Sequence, residues 1–199
     1  MDIAIYLHAL TALFVIIDPI GAALIFNSLA SNGDKRYRYI MATKAIIISG
    51  LTLILFGNYG ETLFFHLGID INSLRISGGL LLFFTAFQMI TSDIGFSNKG
   101  ELRDISVFPM TVPLLAGPGT LTLCVLLFSQ EMDATGTVAV SAAIICTLLL
   151  TFVLMLVSKN LKKIIGKTGD EILKRFLGVI LAALAIQFIY DGISNLMLK

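Results

Sequence analysis

Residues 3–30 read IAIYLHALTALFVIIDPIGAALIFNSLA, an apolar stretch with Asp18-Pro19-Ile20-Gly21 near its middle. About 20 apolar residues are enough for a helix to cross the hydrocarbon core of a bilayer. A charge at that depth costs from about 3 to over 10 kcal/mol, and non-helical backbone survives there only inside protein or beside a wet cavity. The stretch therefore predicts a membrane span that is broken at Asp18, with a functional site at the break.

The composition excludes a soluble domain. Hydrophobic residues make up 57% of the 199 residues, charged residues only 14%, and the mean hydropathy is +0.93. A soluble domain is about 45–50% apolar. The net charge of +1 gives no reason to expect a nucleic-acid partner, and the two histidines and two cysteines lack the spacing of metal ligands. These features predict a polytopic protein of the lipid bilayer with no metal and no cofactor.

The basic residues predict how the chain is oriented. Twelve of the fourteen lysines and arginines follow the first, third and fifth apolar stretches, and the positive-inside rule makes that side cytoplasmic. Both termini are then expected outside. The apolar stretches long enough to span are residues 3–30, 39–65, 72–91, 106–128, 136–157 and 172–196.

The second half of the chain repeats features of the first. Asp18-Pro19 interrupts the first stretch and Gly117-Pro118-Gly119 interrupts the fourth. An Arg-x-x-Gly motif follows 56 residues after Pro19 and 57 residues after Pro118, at Arg75 and Arg175. Each unit holds an odd number of spans, so the second inserts upside down, as in secondary transporters with paired interrupted helices. The prediction is an all-α protein with six spans in two inverted three-span repeats, residues 1–91 and 106–199, joined by a linker at 92–105.

The two breaks differ in chemistry. A helix that restarts at Pro19 has Asp18 as its N-cap, whose carboxylate accepts from the N–H of Ile20 or Gly21. The equivalent cap before Pro118 is Gly117, which has no side chain, so the N–H groups of Gly119, Thr120 and Leu121 are left for a ligand anion.

Together the breaks suit a zwitterion, with its ammonium toward Asp18 and its carboxylate toward the bare amides. Two other readings stay open: Asp18 only caps its helix or carries a proton or a cation, and the glycines only permit close packing. The candidate substrate-binding residues are Asp18, Pro19, Gly21, Gly117, Pro118, Gly119 and Thr120, with Asn27, Gln88 and Gln187 as secondary candidates.

Four motifs, at Asp18–Gly21, Arg75–Phe83, Phe108–Gly119 and Arg175–Ala183, together resemble the MarC family (UPF0056 type) of bacterial and archaeal inner-membrane proteins. The resemblance covers essentially the whole chain. It implies a six-span fold of the LysE-like transporter group and, through members described as small neutral amino acid transporters, movement of substrates such as glycine or alanine. One departure is Leu24, where the family commonly has a second proline.

The leading functional hypothesis is a secondary transporter, with a coupling proton or sodium ion and a homo-oligomeric state left open. A channel is the first alternative, although it would need a continuous polar stripe and the polar residues here cluster at two breaks. An intramembrane enzyme is the second, and a membrane protein that transports nothing is the third. Within the predicted spans no histidine, cysteine or second carboxylate partners Asp18, so no catalytic residue is predicted.

Overall fold

The structure, a computed structural model, describes residues 2–91, 104–130 and 133–197, and within those ranges it is all helical with no strand. Its segments are α1 (Ile3–Ile17), α2 (Pro19–Leu29), α3 (Lys35–His66), α4 (Ile71–Thr91), a wide-turned helical segment at Ser106–Leu115, α5 (Pro118–Ser129) and α6 (Ala134–Met197). Among the described residues, four stretches are long and apolar enough to cross a membrane: Ile3–Leu29, Lys35–His66, Ala134–Asn160 and Arg175–Met197. The all-α membrane class is confirmed, whereas the six-span inverted repeat stays a prediction. The predicted linker lies outside the described residues except for its last two, at 104 and 105.

Both predicted helix breaks are present. The first separates α1 from α2 at Asp18, the only non-glycine residue with a positive φ in the described ranges (φ 45°, ψ 71°). The second separates Leu115 from Pro118, with Gly117 in an extended conformation (φ −73°, ψ 169°). The half preceding the second break is not a regular helix, because Phe108 and Val112 have extended backbone angles.

The fifth and sixth predicted spans form the two apolar parts of α6, Ala134–Asn160 and Arg175–Met197. Helix α6 as a whole extends from Ala134 to Met197, 64 residues. Its first part runs antiparallel to α3, with Leu148 against Gly50 and Ser158 bonded to Arg38. Its last part runs antiparallel to α4, which is itself antiparallel to α3, so the two parts of α6 run in opposite directions.

Helix α4 packs antiparallel against the last part of α6. A Cβ built on Gly79 would lie 2.8 Å from the Ala185 carbonyl oxygen, and one on Gly192 would lie 2.9 Å from the Asn72 carbonyl oxygen. Each glycine thus lies directly against the backbone of the other helix, the close approach that small residues allow in membranes.

Helix α5 lies between α3 and α4. On one side Gly57 of α3 meets Cys124 and Phe128, and on the other Gly78 of α4 meets Thr122. The first part of the same span continues along α3, since the buried Thr111 hydroxyl donates to the Ala45 carbonyl at 3.3 Å. The fourth span and α3 therefore run in the same direction, in contact on both sides of the break.

An ion pair fixes the start of the second half to α3. The Nζ of Lys44 lies 2.9 Å from Oδ2 of Asp104, and both side chains are half exposed. Asp104 also accepts from the hydroxyl and, at 3.0 Å, from the N–H of Ser106. The Ser106 hydroxyl and Lys44 lower the pKa of Asp104 to about 2, so this carboxylate stays ionised across the physiological pH range.

Candidate functional site

Asp18 forms the predicted cap of α2. Its Oδ1 accepts from the Gly21 N–H at 2.9 Å, and its own N–H donates to the Phe14 carbonyl at 3.1 Å, which ends α1. The residue is 9% exposed. Aspartate tolerates a left-handed backbone better than most residues. One residue therefore ends one helix, begins the next, and brings a carboxylate into the interior of the protein.

Gly21 explains how the carboxylate fits. A Cβ built on Gly21 would overlap the Asp18 carboxyl group, with Cγ only 2.8 Å away. The third position of α2 thus has to be glycine for the cap to form in this geometry. Pro19, between them, is buried at the first position of the helix, where a missing N–H costs nothing.

The N-terminus of α5 has no side-chain cap. Gly117 occupies the cap position and Pro118 follows it. The Leu121 N–H donates to the Gly117 carbonyl at 2.9 Å, so the expectation that this amide is available was wrong: it already belongs to the first helical turn. Within the described ranges the N–H groups of Gly119 and Thr120 make no hydrogen bond, as the sequence predicted.

The two breaks lie close to one another. A Cβ built on Gly119 would lie 3.4 Å from Cδ1 of Ile16, two residues before Asp18, and 2.7 Å from Cδ2 of Leu82 on α4. Thr120 is 3% exposed. The space in front of Gly119 is thus filled by apolar side chains, and packing accounts for at least part of the need for glycine there.

The remaining candidates lie elsewhere. Pro118 is exposed, as are Gln88 and Gln187. The Gln187 amide donates at 2.8 Å to Asp191 on its own helix. Asn27 is buried, but its side chain engages a residue that sequence reasoning did not single out.

That residue is Arg38, a buried cation with 5% exposure. Its guanidinium donates to the Ala30 carbonyl at 3.1 Å, to Asn27 Oδ1 at 3.3 Å and to the Ser158 hydroxyl at 2.7 Å. It also lies 5.3 Å from the ring centre of Phe26. The Arg38 cluster, defined as Arg38, Asn27, Ala30 and Ser158, joins the end of α2 to the start of α3 and to α6.

The cluster places a cation where α2 ends. Helix C-termini carry partial negative charge and unpaired carbonyls, and Arg38 supplies both the charge and a donor. From the sequence Arg38 counted only toward the positive-inside rule. The local signal for this contact was the position of Arg38, eight residues after the end of α2 at Ala30. Its contact with Ser158 joins residues 120 positions apart and leaves no local signal.

A metal centre has no support from the side chains. In the part of the chain that the structure describes, no three histidine, cysteine or acidic residues are grouped so that they could hold an ion. A site at the breaks would instead act through one carboxylate, two backbone amides and the hydroxyl of Thr120.

An all-helical membrane protein with two interrupted spans in contact defines the structural class. The chain belongs to the MarC family of integral membrane proteins, whose family model matches residues 3–197. It is similar to UPF0056 membrane proteins of Archaeoglobus fulgidus (33% identical, 98% of this chain and 97% of the relative), Methanocaldococcus jannaschii (31%, 100% of both) and Bacillus subtilis (29%, 98% and 97%). No solved structure matches the chain significantly.

Proposed function

We propose that this MarC family protein is a secondary transporter of small neutral amino acids of the glycine or alanine type. The observation that carries the proposal is the pair of helix N-termini in neighbouring broken spans, one capped by the Asp18 carboxylate and the other without a cap at Gly117. An ammonium group suits the first and a carboxylate suits the second. A carboxylate accepts several hydrogen bonds, so the cap at Gly21 is compatible with a bound ammonium.

The proposal includes a cellular setting. The relatives come from bacteria and archaea, and we place the protein in the cytoplasmic membrane with both termini outside, on the distribution of lysine and arginine. A proton or sodium ion would drive transport, and Asp18 is the residue that would take part in such coupling. The six-span inverted repeat and the relation to LysE-like transporters are part of the same proposal.

Purified protein in proteoliposomes tests it. We expect labelled glycine or alanine to enter faster than into empty liposomes, and to exchange against the same unlabelled amino acid on the inside. Exchange distinguishes a transporter from a channel, because a channel passes solute without requiring a partner on the other side. Uptake equal to that of empty liposomes for every small neutral amino acid, with and without proton and sodium gradients, would refute the proposal.

Gly119 gives a prediction that separates packing from binding. Gly119→Ala adds a Cβ 2.7 Å from Leu82 Cδ2, so we expect a lower melting temperature. Leu82→Val removes that methyl group, and the double variant should recover the melting temperature while uptake stays severalfold below wild type, because the Cβ still hinders approach to the amides. Leu82→Val alone is the control. Recovery of both properties in the double variant would mean that Gly119 serves packing alone.

A further inference from the structure

Ser49 of α3 has a buried hydroxyl group with no partner. Its side chain is 0% exposed, and Oγ makes no hydrogen bond in the described part of the chain. A serine or threonine inside a helix usually donates to the carbonyl four residues earlier, as Thr52 does on the same helix at 2.8 Å. For Ser49 that carbonyl belongs to Ala45, but Ser49 Oγ makes no bond to it; the Ala45 oxygen lies 3.3 Å from the Thr111 hydroxyl, whose shorter bond is to the Ser106 carbonyl at 2.8 Å. A buried hydroxyl left in this state destabilises the fold, which raises the question of what it faces.

The packing of α3 locates Ser49 beside the break in the fourth span. Ala45 contacts Thr111 before the break, and Gly57 contacts Cys124 after it. Ser49 follows Ala45 by one turn and belongs to the same buried stripe of α3, which continues through Leu53 to Gly57. By its position between these two contacts, Ser49 is level with residues 115–117, next to the N-terminus of α5 that carries the uncapped amides.

We propose that Ser49 is a ligand-binding residue whose hydroxyl donates to the carboxylate held at the N-terminus of α5. This inference rests on the proposed function and extends it to the recognition of the carboxylate end of the substrate. The groups that would face such a carboxylate are hydrogen-bond donors, namely the Gly119 and Thr120 N–H groups and the hydroxyls of Thr120 and Ser49. A carboxylate only accepts hydrogen bonds, so it complements this set and the positive end of the α5 dipole.

The test uses two matched substitutions on α3. Ser49→Ala removes the hydroxyl beside the break. Thr43→Val removes the other unpartnered buried hydroxyl of the described residues, six residues nearer the start of the same helix. Each variant loses an unsatisfied group, so neither should melt below wild type in the absence of ligand. The two are expected to differ only in how they respond to a ligand.

The probes are glycine, L-alanine and lactate, the last a small carboxylate without an amino group, each titrated into purified protein while the melting temperature is followed. We expect wild type and Thr43→Val to be stabilised equally, and Ser49→Ala to need about tenfold more ligand, the loss of one hydrogen bond to a charged group. If Ser49→Ala weakens the binding of lactate as much as that of alanine, the hydroxyl acts on the carboxylate group that the two ligands share.

The outcomes separate this inference from the proposed function. If Ser49→Ala binds alanine as tightly as wild type, the inference fails while the transporter stands. If lactate binds and depends on Ser49 but neither amino acid binds, the carboxylate subsite stands and amino acid transport fails. If none of the three stabilises wild type, both are overturned. A Ser49→Ala protein that melts well below wild type without ligand would show a structural role and also overturn the inference.

Discussion

Replacing Asp18 with asparagine is expected to reduce transport at least about tenfold, the equivalent of one modest ion pair at roughly 1.4 kcal/mol, while the protein still folds. Asparagine is an equally good N-cap and it tolerates the left-handed backbone that Asp18 adopts. The cap to Gly21 and the break between α1 and α2 should therefore survive. What the substitution removes is the negative charge, which a substrate ammonium, a proton or a cation would require.

The measurement is uptake into proteoliposomes, with melting temperature as the check on folding. Asp2→Asn is the matched control, because Asp2 also caps a helix, accepting from the Ala4 N–H at 2.9 Å, but at an exposed position. It should transport like wild type. A fully active Asp18→Asn protein would reduce Asp18 to a capping residue and remove the carboxylate from the proposed mechanism.

The second large effect is expected at Arg38. Arg38→Ala removes a charged donor from three neutral acceptors, and hydrogen bonds to charged groups contribute about 1.5–3 kcal/mol each. We expect the free energy of unfolding to fall by at least about 3 kcal/mol and the melting temperature by roughly 6 °C or more for a chain of this size. Arg38→Lys should recover only part of the loss, since one ammonium cannot reproduce the fork of a guanidinium.

Arg36→Ala is the matched control, because Arg36 carries the same charge and is exposed two residues earlier on the same helix. Its melting temperature should stay within error of wild type. If both variants melt alike, the Arg38 cluster contributes little to stability and its role has to be sought in transport instead.

Sequence reasoning succeeded where a few neighbouring residues decide the outcome. The caps at Asp18 and Gly117 follow from Asp-Pro and Gly-Pro within four positions, and both are present in the structure. It failed at Leu121, whose N–H belongs to the first turn of α5, because a helix restarting at Pro118 satisfies its fourth amide internally.

Long-range contacts account for what the sequence left undetected. The Arg38 guanidinium donates to Ser158, and Ser49 lies one turn after Ala45, whose carbonyl the Thr111 hydroxyl approaches at 3.3 Å. Neither contact has a local signature in a single chain. A serine and an arginine in a long helix are usually read as a small packing residue and an interfacial charge, and only their neighbours in space alter that reading.

The glycine contacts between α4 and α6 limit which substitutions the sequence can accept at these positions. At most buried positions a larger residue is accommodated when a facing side chain changes rotamer or is replaced by a smaller one. Gly79 and Gly192 face carbonyl oxygens of the opposite helix. A backbone atom cannot change rotamer, and no mutation replaces it with a smaller one. Accepting even alanine at one position would require the two helix axes to separate, which would loosen the contact at the other. A substitution at either glycine would therefore disturb the packing at the other, although the two are 113 positions apart in the sequence.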